Sequence, residues 1–404
     1  MINRAEALKL VLEQGTPLGV LRVPLSESLG LAVAEELVSG ESVPPFDNSG
    51  MDGYALRLGE AVSAPLRLPV CGELGAGQVA APLAPGTALR IMTGAPVPEG
   101  ADAIVPVEDT RSGQGWVELD RLPKPGANIR RAGEDIARGT HLMSTGQPLR
   151  PADIGVLASV GIGLVPVRPR VRVAVLTTGN ELVPCTEAPG PGRIRDANIH
   201  AVCAQVSSCG GAALPFERIP DTPGLVEAAL EQAWNEADVI LTTGGISVGD
   251  YDFVKPALEA RGAERIFWKV AQKPGQPLGL WLWRGKPVLG LPGNPVAAML
   301  MVEEYVRPLL RRMMGLRHLF RPEAEGLLEG GYRKGRPDGR VNFLRVVAEP
   351  TGGRLRARLT GPQGSGILSS MMKANAIALV PEDTLVIEDG GPVLLHLTEL
   401  AEDH

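Results

Sequence analysis

Three apolar segments, each leading into a glycine-rich loop, constrain the fold of this chain more than any other feature. Helical periodicity runs from Thr222-Pro223 to Ala237 and again after Pro295. Short continuous apolar runs are typical of parallel strands that are buried on both faces. Strand, loop and helix in this repetition predict a doubly wound α/β sheet with helices on both faces. The three segments are RVRVAVL (170–176), ADVILTTGG (237–245) and KPVLGLPGNP (286–295).

The rest of the chain carries shorter patterns that glycine and proline interrupt every few residues. Residues 1–42 contain an amphipathic helix with Asn3 as its N-cap, and residues 150–163 predict a second helix. Residues 43–138 have the pattern of a small β-rich unit, and the segments after Gly315 return to short strands. We therefore expect an α/β region together with a β-rich region and a separate C-terminal β domain or barrel.

The overall charge and the cysteine pattern argue against several classes of protein. The 404 residues carry a formal net charge of −6, which argues against general binding to nucleic acid or to a membrane surface. Four scattered cysteines without a CxxC pair argue against a zinc site or a redox pair. The longest apolar stretch, 154–167, is too short to span a membrane, and the N-terminal helix differs from a signal peptide. We therefore expect a cytoplasmic protein with reduced thiols.

The loops that follow the three strands are candidate ligand-binding elements. In doubly wound folds, ligands bind at the carboxyl ends of the strands, where glycine lets the backbone approach an anion closely. A single loop of this kind would equally suit an ordinary turn, but three together favour a phosphate- or nucleotide-like ligand. Asn294 is a candidate N-cap, with Pro295 at the first helical position. The candidate binding residues are Gly179, Gly244, Gly245, Ser247, Pro292, Gly293, Asn294 and Pro295.

Charged side chains lie in or beside the same loops. Carboxylate oxygens suit a hard cation such as Mg²⁺, which would neutralise a phosphoanhydride, although each carboxylate could instead cap a helix or face water. Lys269 and Lys273 would share one face if WKVAQKPGQP is a strand. They would then bind an oxyanion or form a solvated strand edge. The candidate magnesium ligands are Glu181, Asp221, Asp250 and Asp252.

The segment FDNSGMDGYA (46–55) is the most polar turn of the β-rich region. It places four polar side chains within six residues, and its two glycines permit a tight turn. IMTGAPVPEGAD (91–102) and GED (133–135) are similar polar turns later in the same region. These segments suit either elaborate turns or a site at a boundary between domains or subunits.

The order and spacing of these motifs resemble the MoeA/gephyrin family, of which MoeA is the molybdopterin molybdenumtransferase. FDNSxMDGYA is the most specific of them, and together they cover essentially the whole chain. One position departs from the family, because its KPGKP is KPGQP here and Gln276 replaces a lysine of the presumed oxyanion pocket. The motifs are PPFDNSGMDGYA, IMTGAPVPEGAD, GANIRRAGED, TTGNEL, GRIRDAN, TTGGISVGDYDF, WKVAQKPGQP and LPGNPVAA.

The resemblance implies an elongated chain of four domains that forms a homodimer. Its α/β domain would be MogA-like and would bind molybdopterin. The implied domains are a discontinuous linker domain (1–42 and 139–168), an inserted β-rich domain (43–138), the α/β domain (169–318) and a C-terminal β barrel (319–404).

The resemblance also places the active site between the α/β domain of one subunit and the inserted domain of its partner. That site would hold Mg²⁺, insert molybdate into adenylyl-molybdopterin and release AMP. The implied catalytic residues are Asp52, Thr93, Asp135, Glu181, Asp221 and Asp252. The implied substrate contacts include Lys269, Lys273, Pro292 and Pro295, with Arg345 and Ser365 near molybdate.

Two other activities stay open at this point. Adenylylation of molybdopterin uses a related α/β domain with a TTGGxS-type loop, but it usually needs only that single domain, so the intact FDNSGMDGYA region argues against it. A scaffold role, as gephyrin has at receptors, is opposed by the acidic and threonine residues retained in every loop. Transient contact with other enzymes of the molybdenum cofactor is compatible with any of these activities.

Overall fold

The structure is a computed structural model, and it describes residues 1–58, 63–79, 81–245 and 253–398. The first helix begins as predicted, because the Asn3 side chain accepts a hydrogen bond from the backbone N–H of Glu6 at 2.8 Å. Short strands follow this helix. The elements of this first segment are α1 (Arg4–Glu13), β1 (Leu21–Pro24), the 3₁₀ turn Leu25–Glu27, β2 (Ala32–Val33) and β3 (Leu37–Val38).

The next part of the chain forms a β-rich region, as its glycine- and proline-punctuated pattern predicts. Its elements are β4 (Asn48–Ser49), β5 (Gly53–Leu56), β6 (Leu66–Leu74), β7 (Ala88–Ile91), β8 (Ala103–Pro106), the 3₁₀ turn Val107–Asp109, β9 (Thr110–Gly113), β10 (Trp116–Leu119) and β11 (Ile129–Arg130). Six of these strands form one sheet, here called the inserted sheet, in the order β8-β5-β7-β6-β10-β9. The short strand β4, within the FDNSGMDGYA turn, pairs separately with β11.

The chain then returns to pair with its own first segment. The elements of this return are β12 (His141–Met143), α2 (Pro151–Ser159) and β13 (Leu164–Arg168). Strand β13 lies between β1 and β2, and β12 pairs with β3. Val33, Leu157 and Val165 from the two segments share one buried apolar cluster. Two stretches that are distant in sequence therefore fold together, with the inserted sheet between them in the chain.

The α/β region is built on a six-stranded sheet. Its elements are β14 (Arg172–Thr178), β15 (Leu182–Val183), β16 (Ile194–Arg195), α3 (Asn198–Ser208), β17 (Ala212–Ile219), α4 (Pro223–Glu236), β18 (Val239–Thr243), α5 (Val254–Ala260), β19 (Glu264–Trp268), β20 (Gln272–Lys273), β21 (Gly279–Trp283), β22 (Lys286–Leu291), α6 (Pro295–Met301), a π-helix (Val302–Val306) and α7 (Arg307–Met313). The order of the strands in the sheet is β17-β14-β18-β22-β21-β19. The first four strands of the sheet are parallel, whereas β21 and β19 form an antiparallel edge.

Helices cover both faces of this sheet, which confirms the doubly wound prediction. Val173 and Val175 of β14 pack into a cluster that includes residues of α3, α6 and α7. Ala174 and Leu176 of the same strand pack on the other face with residues of α4 and α5. The alternation follows from the two-residue period of a strand, so a run of apolar residues fills both cores.

The C-terminal strands close into a five-stranded barrel, as predicted. Its elements are β23 (Glu323–Glu329), β24 (Tyr332–Arg333), β25 (Val341–Thr351), β26 (Arg354–Leu359), α8 (Ser369–Met372), β27 (Ala376–Val380), β28 (Val386–Ile387) and β29 (Gly391–Leu397). The order is β25-β26-β23-β29-β27, and β27 pairs back onto β25. Strand β20 of the α/β region adds to β25, with Lys273 opposite Asn342, so the barrel and the α/β region share backbone hydrogen bonding.

A buried carboxylate also joins these parts of the chain. Glu304 of the π-helix lies 2.6 Å from Arg4 of α1 and 2.8 Å from Nδ1 of His396 in β29. Burial alone would raise the pKa of Glu304, but the hydrogen bond and charge of His396 and the charge of Arg4 outweigh it, so the pKa is lowered. Within the described residues, no helix combines the length and apolar character needed to cross a membrane.

Candidate functional site

The three glycine-rich loops meet at the carboxyl ends of β14, β18 and β22, and residues 178–181, 243–245 and 291–295 are here called the strand-end site. The backbone N–H of Gly244 donates to the carbonyl of Leu291 at 3.3 Å, which joins two of the loops. A cavity of about 130 Å³ opens where they meet. Its lining includes Thr178, Glu181, Asp196, Asn198, Gly244, Gly293 and Pro295. The predicted convergence of the loops is therefore present in the fold.

Glycine is required at the second of these loops. Gly244 and Gly245 have φ angles of +86° and +68°, a region that residues with a β-carbon adopt at a cost. A β-carbon on Gly245 would also lie 2.6 Å from Cγ2 of Val254. The two glycines therefore let the loop turn sharply while its backbone stays open to a ligand.

Two polar residues that the motif analysis did not assign hold the loops in place. Asp196 is only 3% exposed, and it accepts hydrogen bonds from Thr177 Oγ1 (2.5 Å) and from the backbone N–H of Ile199 (3.1 Å). Asn198 Nδ2 donates to the carbonyl of Gly293 at 2.8 Å. Asp196 thus ties the end of β14 to the start of α3, and Asn198 ties α3 to the LPGNP loop. An Asp just before a predicted helix is a common acceptor for the N–H groups of the first turn, so the sequence contained a signal for this contact.

Two of the four predicted magnesium ligands flank one loop of the site. The Glu181 carboxylate folds over Gly179, with Oε2 2.7 Å from the position that a β-carbon on Gly179 would take. Asp221 accepts a hydrogen bond from the backbone N–H of Asn180 at 3.1 Å, and its own backbone N–H donates to the Asn180 side chain at 3.2 Å. Both carboxylates therefore border residues 179–181.

The remaining predicted acids of this region lie outside the described residues. Asp250 and Asp252, and with them the predicted binding residue Ser247, belong to the stretch 246–252. In the part of the chain that is described, no three Asp, Glu, His or Cys side chains come together as a metal-binding group. Among the described residues, Glu181 and Asp221 are therefore not joined by a third such side chain.

The hypothesis that one strand carries both lysines of WKVAQKPGQP is wrong. Strand β19 ends at Trp268, and Lys269 follows it with a φ angle of +71°, which is left-handed backbone. Lys273 lies in the separate strand β20, beside the barrel strand β25. The chain turns between the two lysines because Val270 and Lys269 donate backbone hydrogen bonds to Gln276 and Leu278. The polar pattern of this stretch reflects a turn rather than a strand face.

The barrel contributes a loop to the strand-end site. The backbone N–H of Val296 donates to the carbonyl of Ser365 at 3.3 Å, so this serine lies against the first turn of α6. Asn294 occupies the N-cap position and Pro295 the first helical position, as predicted, although the Asn294 side chain makes no capping hydrogen bond. The predicted residues Pro292, Gly293, Pro295 and Ser365 are therefore neighbours in the fold.

Arg345 of the barrel strand β25 supports the Ser365 loop. Its side chain is fully buried, and it donates to Ser370 Oγ at 3.0 Å and to the carbonyl of Gly364 at 3.1 Å. Burial lowers the pKa of this guanidinium. Arg345 thus holds the loop that carries Ser365.

A second arginine, which the motif analysis did not assign, contacts the position of the family departure. Arg340 donates from Nη1 to Gln276 Oε1 at 3.2 Å and pairs with Asp338 at 2.7 Å. Gln276 therefore lies beside a guanidinium. Because 64 residues separate the two partners, sequence spacing alone gave no signal for this contact.

The polar turn of the inserted sheet is organised by hydrogen bonds among its own residues. Thr93 donates to Asp52 Oδ1 from both its backbone N–H (2.7 Å) and its hydroxyl (2.6 Å). These two bonds, that of the hydroxyl first, lower the pKa of the exposed Asp52 carboxyl. Asp47 likewise accepts from the backbone N–H of Ala132 at 2.8 Å and from Arg131 at 2.5 Å.

The third predicted residue of this region, Asp135, lines a separate hollow. Its neighbours there are Val43, Pro44, Asn48, Arg130 and Glu134, around a volume of about 500 Å³. Asp52 and Thr93 are joined directly, whereas Asp135 is held through its backbone N–H, which donates to the carbonyl of Val43 at 3.0 Å. Among the described residues of one chain, no hydrogen bond links this group to the strand-end site.

The fold defines a multidomain α/β protein with a cavity at the carboxyl ends of its parallel strands and a loop of the β barrel against α6. Comparison with known proteins agrees over most of the chain. Residues 2–161 match the model "MoeA N-terminal region (domain I and II)", residues 174–312 match "Probable molybdopterin binding domain", and residues 335–397 match "MoeA C-terminal region (domain IV)".

Relatives and solved structures place the chain in one family. It is 38% identical to molybdopterin molybdenumtransferase 2 of Mycobacterium tuberculosis, with 92% of this chain and 93% of the relative covered. It is 34% identical to molybdopterin molybdenumtransferase of Haemophilus influenzae, with 98% of each chain covered. A solved structure of the molybdopterin biosynthesis protein MoeA from Pyrococcus horikoshii has a TM-score of 0.85 at 30% identity, covering 99% of this chain and 100% of that one. The chain belongs to the MoeA family.

Proposed function

We propose that this protein inserts molybdate into adenylyl-molybdopterin and releases AMP, as a molybdopterin molybdenumtransferase. Membership of the MoeA family makes it a transferase of molybdenum cofactor biosynthesis. The observation that carries the finer proposal is the convergence of three glycine-rich loops with Glu181 and Asp221 at one edge of the sheet. That edge suits a ligand that carries phosphates and needs their charge neutralised.

The backbone of the strand-end site would bind the phosphates of the pterin–AMP conjugate. Gly179, Gly244, Gly245 and Gly293 leave backbone exposed, and Asn198 fixes the LPGNP loop against them. Positioning of this kind needs no covalent intermediate with the protein, because fixed dipoles and close alignment lower the barrier. The two dithiolene thiols would bind molybdenum while molybdate oxygen leaves as water with the thiol protons. Water would hydrolyse the phosphoanhydride, so that AMP leaves and the other phosphate stays on molybdopterin.

A magnesium ion fits the donors at residues 179–181. Mg²⁺ is commonly held by one or two carboxylates while substrate phosphates and water complete its octahedron. Glu181 and Asp221 supply two such carboxylates beside one loop. When bound there, Mg²⁺ would screen the negative charge of the pyrophosphate. We also propose Asp250 and Asp252 as further ligands of this ion.

Molybdate would bind where the barrel loop meets α6. Ser365 lies against Val296, Lys273 is exposed on β20, and Arg340 adds a guanidinium next to Gln276. Arg345 would act through the loop that it braces rather than by contact with the anion, because its side chain is fully buried. The lysine that the family carries at position 276 would thus be replaced functionally by the neighbouring Arg340.

The second half of the site would come from a partner subunit. Asp52 and Thr93 are exposed and joined to each other, and Asp135 lines its own hollow. This organisation supports a homodimer in which the inserted domain (43–138) of one subunit meets the α/β domain (169–318) of the other. The linker domain (1–42 and 139–168) and the C-terminal barrel domain (319–404) would complete each subunit. We further propose that the dimer is cytoplasmic.

The deciding experiment measures AMP release from adenylyl-molybdopterin by the purified protein. The assay contains Mg²⁺ and is run with and without molybdate. Molybdate-dependent AMP release, together with restored activity of an apo-molybdoenzyme, is the expected result. A folded protein that releases no AMP under either condition would contradict the proposed reaction.

A further inference from the structure

Two lysines converge on one indole ring at the edge of the α/β sheet. The ammonium group of Lys255, in α5, lies 4.0 Å from the ring centroid of Trp268. The ammonium group of Lys269 lies 4.1 Å from the same centroid. The two positive charges are therefore at most about 8 Å apart, since each lies about 4 Å from one point.

Strand directions place this pair at the ligand-binding edge. Strand β21 runs antiparallel to β22 with Gly279 opposite Gly290, which comes just before the LPGNP loop. Strand β19 runs antiparallel to β21 with Trp268 opposite Gly279. Two reversals bring the end of β19 to the same edge as the end of β22. Trp268 and Lys269 therefore lie beside the strand-end site, although they belong to the antiparallel part of the sheet.

Lys255 reaches this edge from the first turn of α5, which follows the TTGG loop (242–245) in the chain. The backbone N–H groups of Val254 and Lys255 lie 3.2 Å and 3.4 Å from the carbonyl of Gly245 and donate to it. That contact attaches the first turn of α5 to Gly245. The left-handed backbone of Gly245 would be strained in any residue with a β-carbon. Lys255 is thus held near the loop by backbone hydrogen bonds and near Trp268 by its side chain.

No carboxylate in the described part of the chain compensates the charge of the pair. Within the described residues, neither Lys255 nor Lys269 forms an ion pair with a carboxylate, and both side chains are half-buried. An indole ring attracts a cation through its quadrupole, but two ammonium groups beside one ring repel each other. Lys269 also keeps a left-handed backbone (φ +71°), which is a conformation that needs support in a residue with a side chain. A bound anion would relieve the repulsion and give this arrangement a purpose.

We propose that Lys255 is a second phosphate-binding lysine, which acts with Lys269 beside Trp268 to hold the phosphoanhydride of a nucleotide-linked substrate. This inference rests on the proposed function for the identity of the substrate, and it adds a binding residue to that site. Trp268 holds both ammonium groups about 4 Å from its ring, where the lysine side chains are half-buried. Ammonium groups in such a setting bind phosphate oxygens more strongly than fully hydrated ones do.

The test measures binding of inorganic pyrophosphate and of AMP by titration calorimetry, with Mg²⁺ at one fixed concentration. Lys255→Met keeps an apolar chain over the ring but removes the charge. It should weaken binding of both probes by about 10- to 100-fold. Lys255→Arg should restore binding to within about threefold of the unchanged protein. The salt dependence of pyrophosphate affinity should also become shallower in Lys255→Met, because one cationic contact is lost.

Arg67→Met is the matched control. The Arg67 guanidinium lies 3.7 Å from the ring centroid of Trp116 in the inserted sheet, so this variant removes an equal charge from another indole. Arg67→Met should bind both probes as the unchanged protein does. Adenosine, which has no phosphate, should bind Lys255→Met and the unchanged protein alike. Thermal unfolding of each variant checks that the fold is retained.

Two results would overturn the inference. Lys255→Met with unchanged affinity for pyrophosphate would show that Lys255 only packs on Trp268. An equal loss of affinity for adenosine and pyrophosphate would show general damage to the site. The proposed reaction fails separately: Lys255-dependent pyrophosphate binding without molybdate-dependent AMP release would keep this inference and reject that reaction.

Discussion

The strand-end site and the polar turn of the inserted sheet present carboxylates in opposite ways. Asp52 and Asp47 of the turn accept their hydrogen bonds from neighbours in the same region, so their orientation is already fixed. Glu181 of the strand-end site rests over Gly179, and within the described residues its carboxylate accepts no hydrogen bond. The rigid part of the strand-end site is instead its backbone, which Asp196 and Asn198 hold from behind.

The difference indicates what each region needs from a ligand. A carboxylate that is already hydrogen-bonded loses little freedom on binding and presents a fixed negative charge. A carboxylate with open lone pairs is available to a cation, which would complete the site when substrate arrives. We expect substitutions at the strand-end site to reduce binding of metal and substrate. Substitutions in the polar turn should change the orientation of its carboxylates and the dependence of activity on acidic pH.

The largest effect should come from Glu181→Gln. This change removes the open carboxylate charge but keeps the shape of the side chain, so activity should fall about 100-fold, and the Mg²⁺ concentration needed for half-maximal activity should rise. The free energy of unfolding should stay within about 0.5 kcal/mol, because no described hydrogen bond is lost. Rates of AMP release across a Mg²⁺ titration provide the measurement.

Glu187→Gln is the control for this variant, because Glu187 is an exposed acid six residues after Glu181, between the short strands β15 and β16. It should leave both the rate and the Mg²⁺ dependence unchanged. Equal effects of the two substitutions would mean that only the overall charge of the loop matters, and the contrast between an open and a fixed carboxylate would then lose its basis.

Asp196→Ala should have the largest effect on stability. It leaves the buried Thr177 hydroxyl without its acceptor and removes the side chain that accepts from Ile199 at the start of α3. The expected loss is about 2–3 kcal/mol in the free energy of unfolding, measured by urea denaturation. Asp47→Ala, in the polar turn, should cost about 1 kcal/mol or less, because its partners are exposed. A smaller loss for Asp196→Ala than for Asp47→Ala would reverse the comparison.

The sequence predicted most of the fold because hydrophobic periodicity reports burial directly. The alternating cores of β14 and the helices α3 and α4 lie where the patterns place them. The glycine loops were predictable for the same reason, since a loop that ends a buried strand must leave the sheet at its edge. The antiparallel direction of β21 and β19 was not predicted, because a buried strand has the same apolar pattern in either direction.

The parts of the site that escaped prediction depend on contacts between distant residues. Arg340 meets Gln276 only because β20 joins the barrel. Lys255 meets Trp268 because α5 packs against β19, which is the next strand along the chain. Lys269 and Lys273 would share one face if WKVAQKPGQP formed a single strand, but β19 ends at Trp268 and the left-handed Lys269 breaks the strand. Local spacing carries no information about such a break unless glycine or asparagine marks it.

Thr93→Val should sharpen the comparison through acid sensitivity. It removes the hydroxyl that contributes most to the lowered pKa of Asp52, so this pKa should rise towards its ordinary value. A lowered pKa keeps the carboxylate charged as pH falls, until pH passes through that lowered value. Asp52 therefore stays ionised at neutral pH in both proteins, and the acid limb of the activity profile should move to higher pH in the variant.

The loss of orientation should also lower activity about tenfold at neutral pH, because only the backbone N–H of Thr93 still fixes Asp52. Thr93→Ser keeps the hydroxyl and should retain both the rate and the acid limb. The pH profile of AMP release measures both effects. An unmoved acid limb in Thr93→Val would show that the hydroxyl does not set the titration of Asp52.

Gln276→Lys should have the smallest effect on activity. It tests whether the charged groups around Gln276 only bond to each other, as in the polar turn, or also bind a ligand, as proposed for the strand-end site. The substitution replaces the acceptor of the Arg340 hydrogen bond by a second cation, although Asp338 still pairs with Arg340. We expect a loss of about 0.5–1 kcal/mol in the free energy of unfolding, lessened by salt. If molybdate binds beside Arg340, the added charge should lower the KM for molybdate about two- to threefold and leave kcat unchanged, since it strengthens binding without altering the reacting groups.

Gln276→Met is the control, because it also removes the acceptor but adds no charge. It should lose similar stability without lowering the KM for molybdate. An unchanged KM in Gln276→Lys would mean that Arg340 and Gln276 only connect the barrel to the α/β region, and that molybdate binds elsewhere.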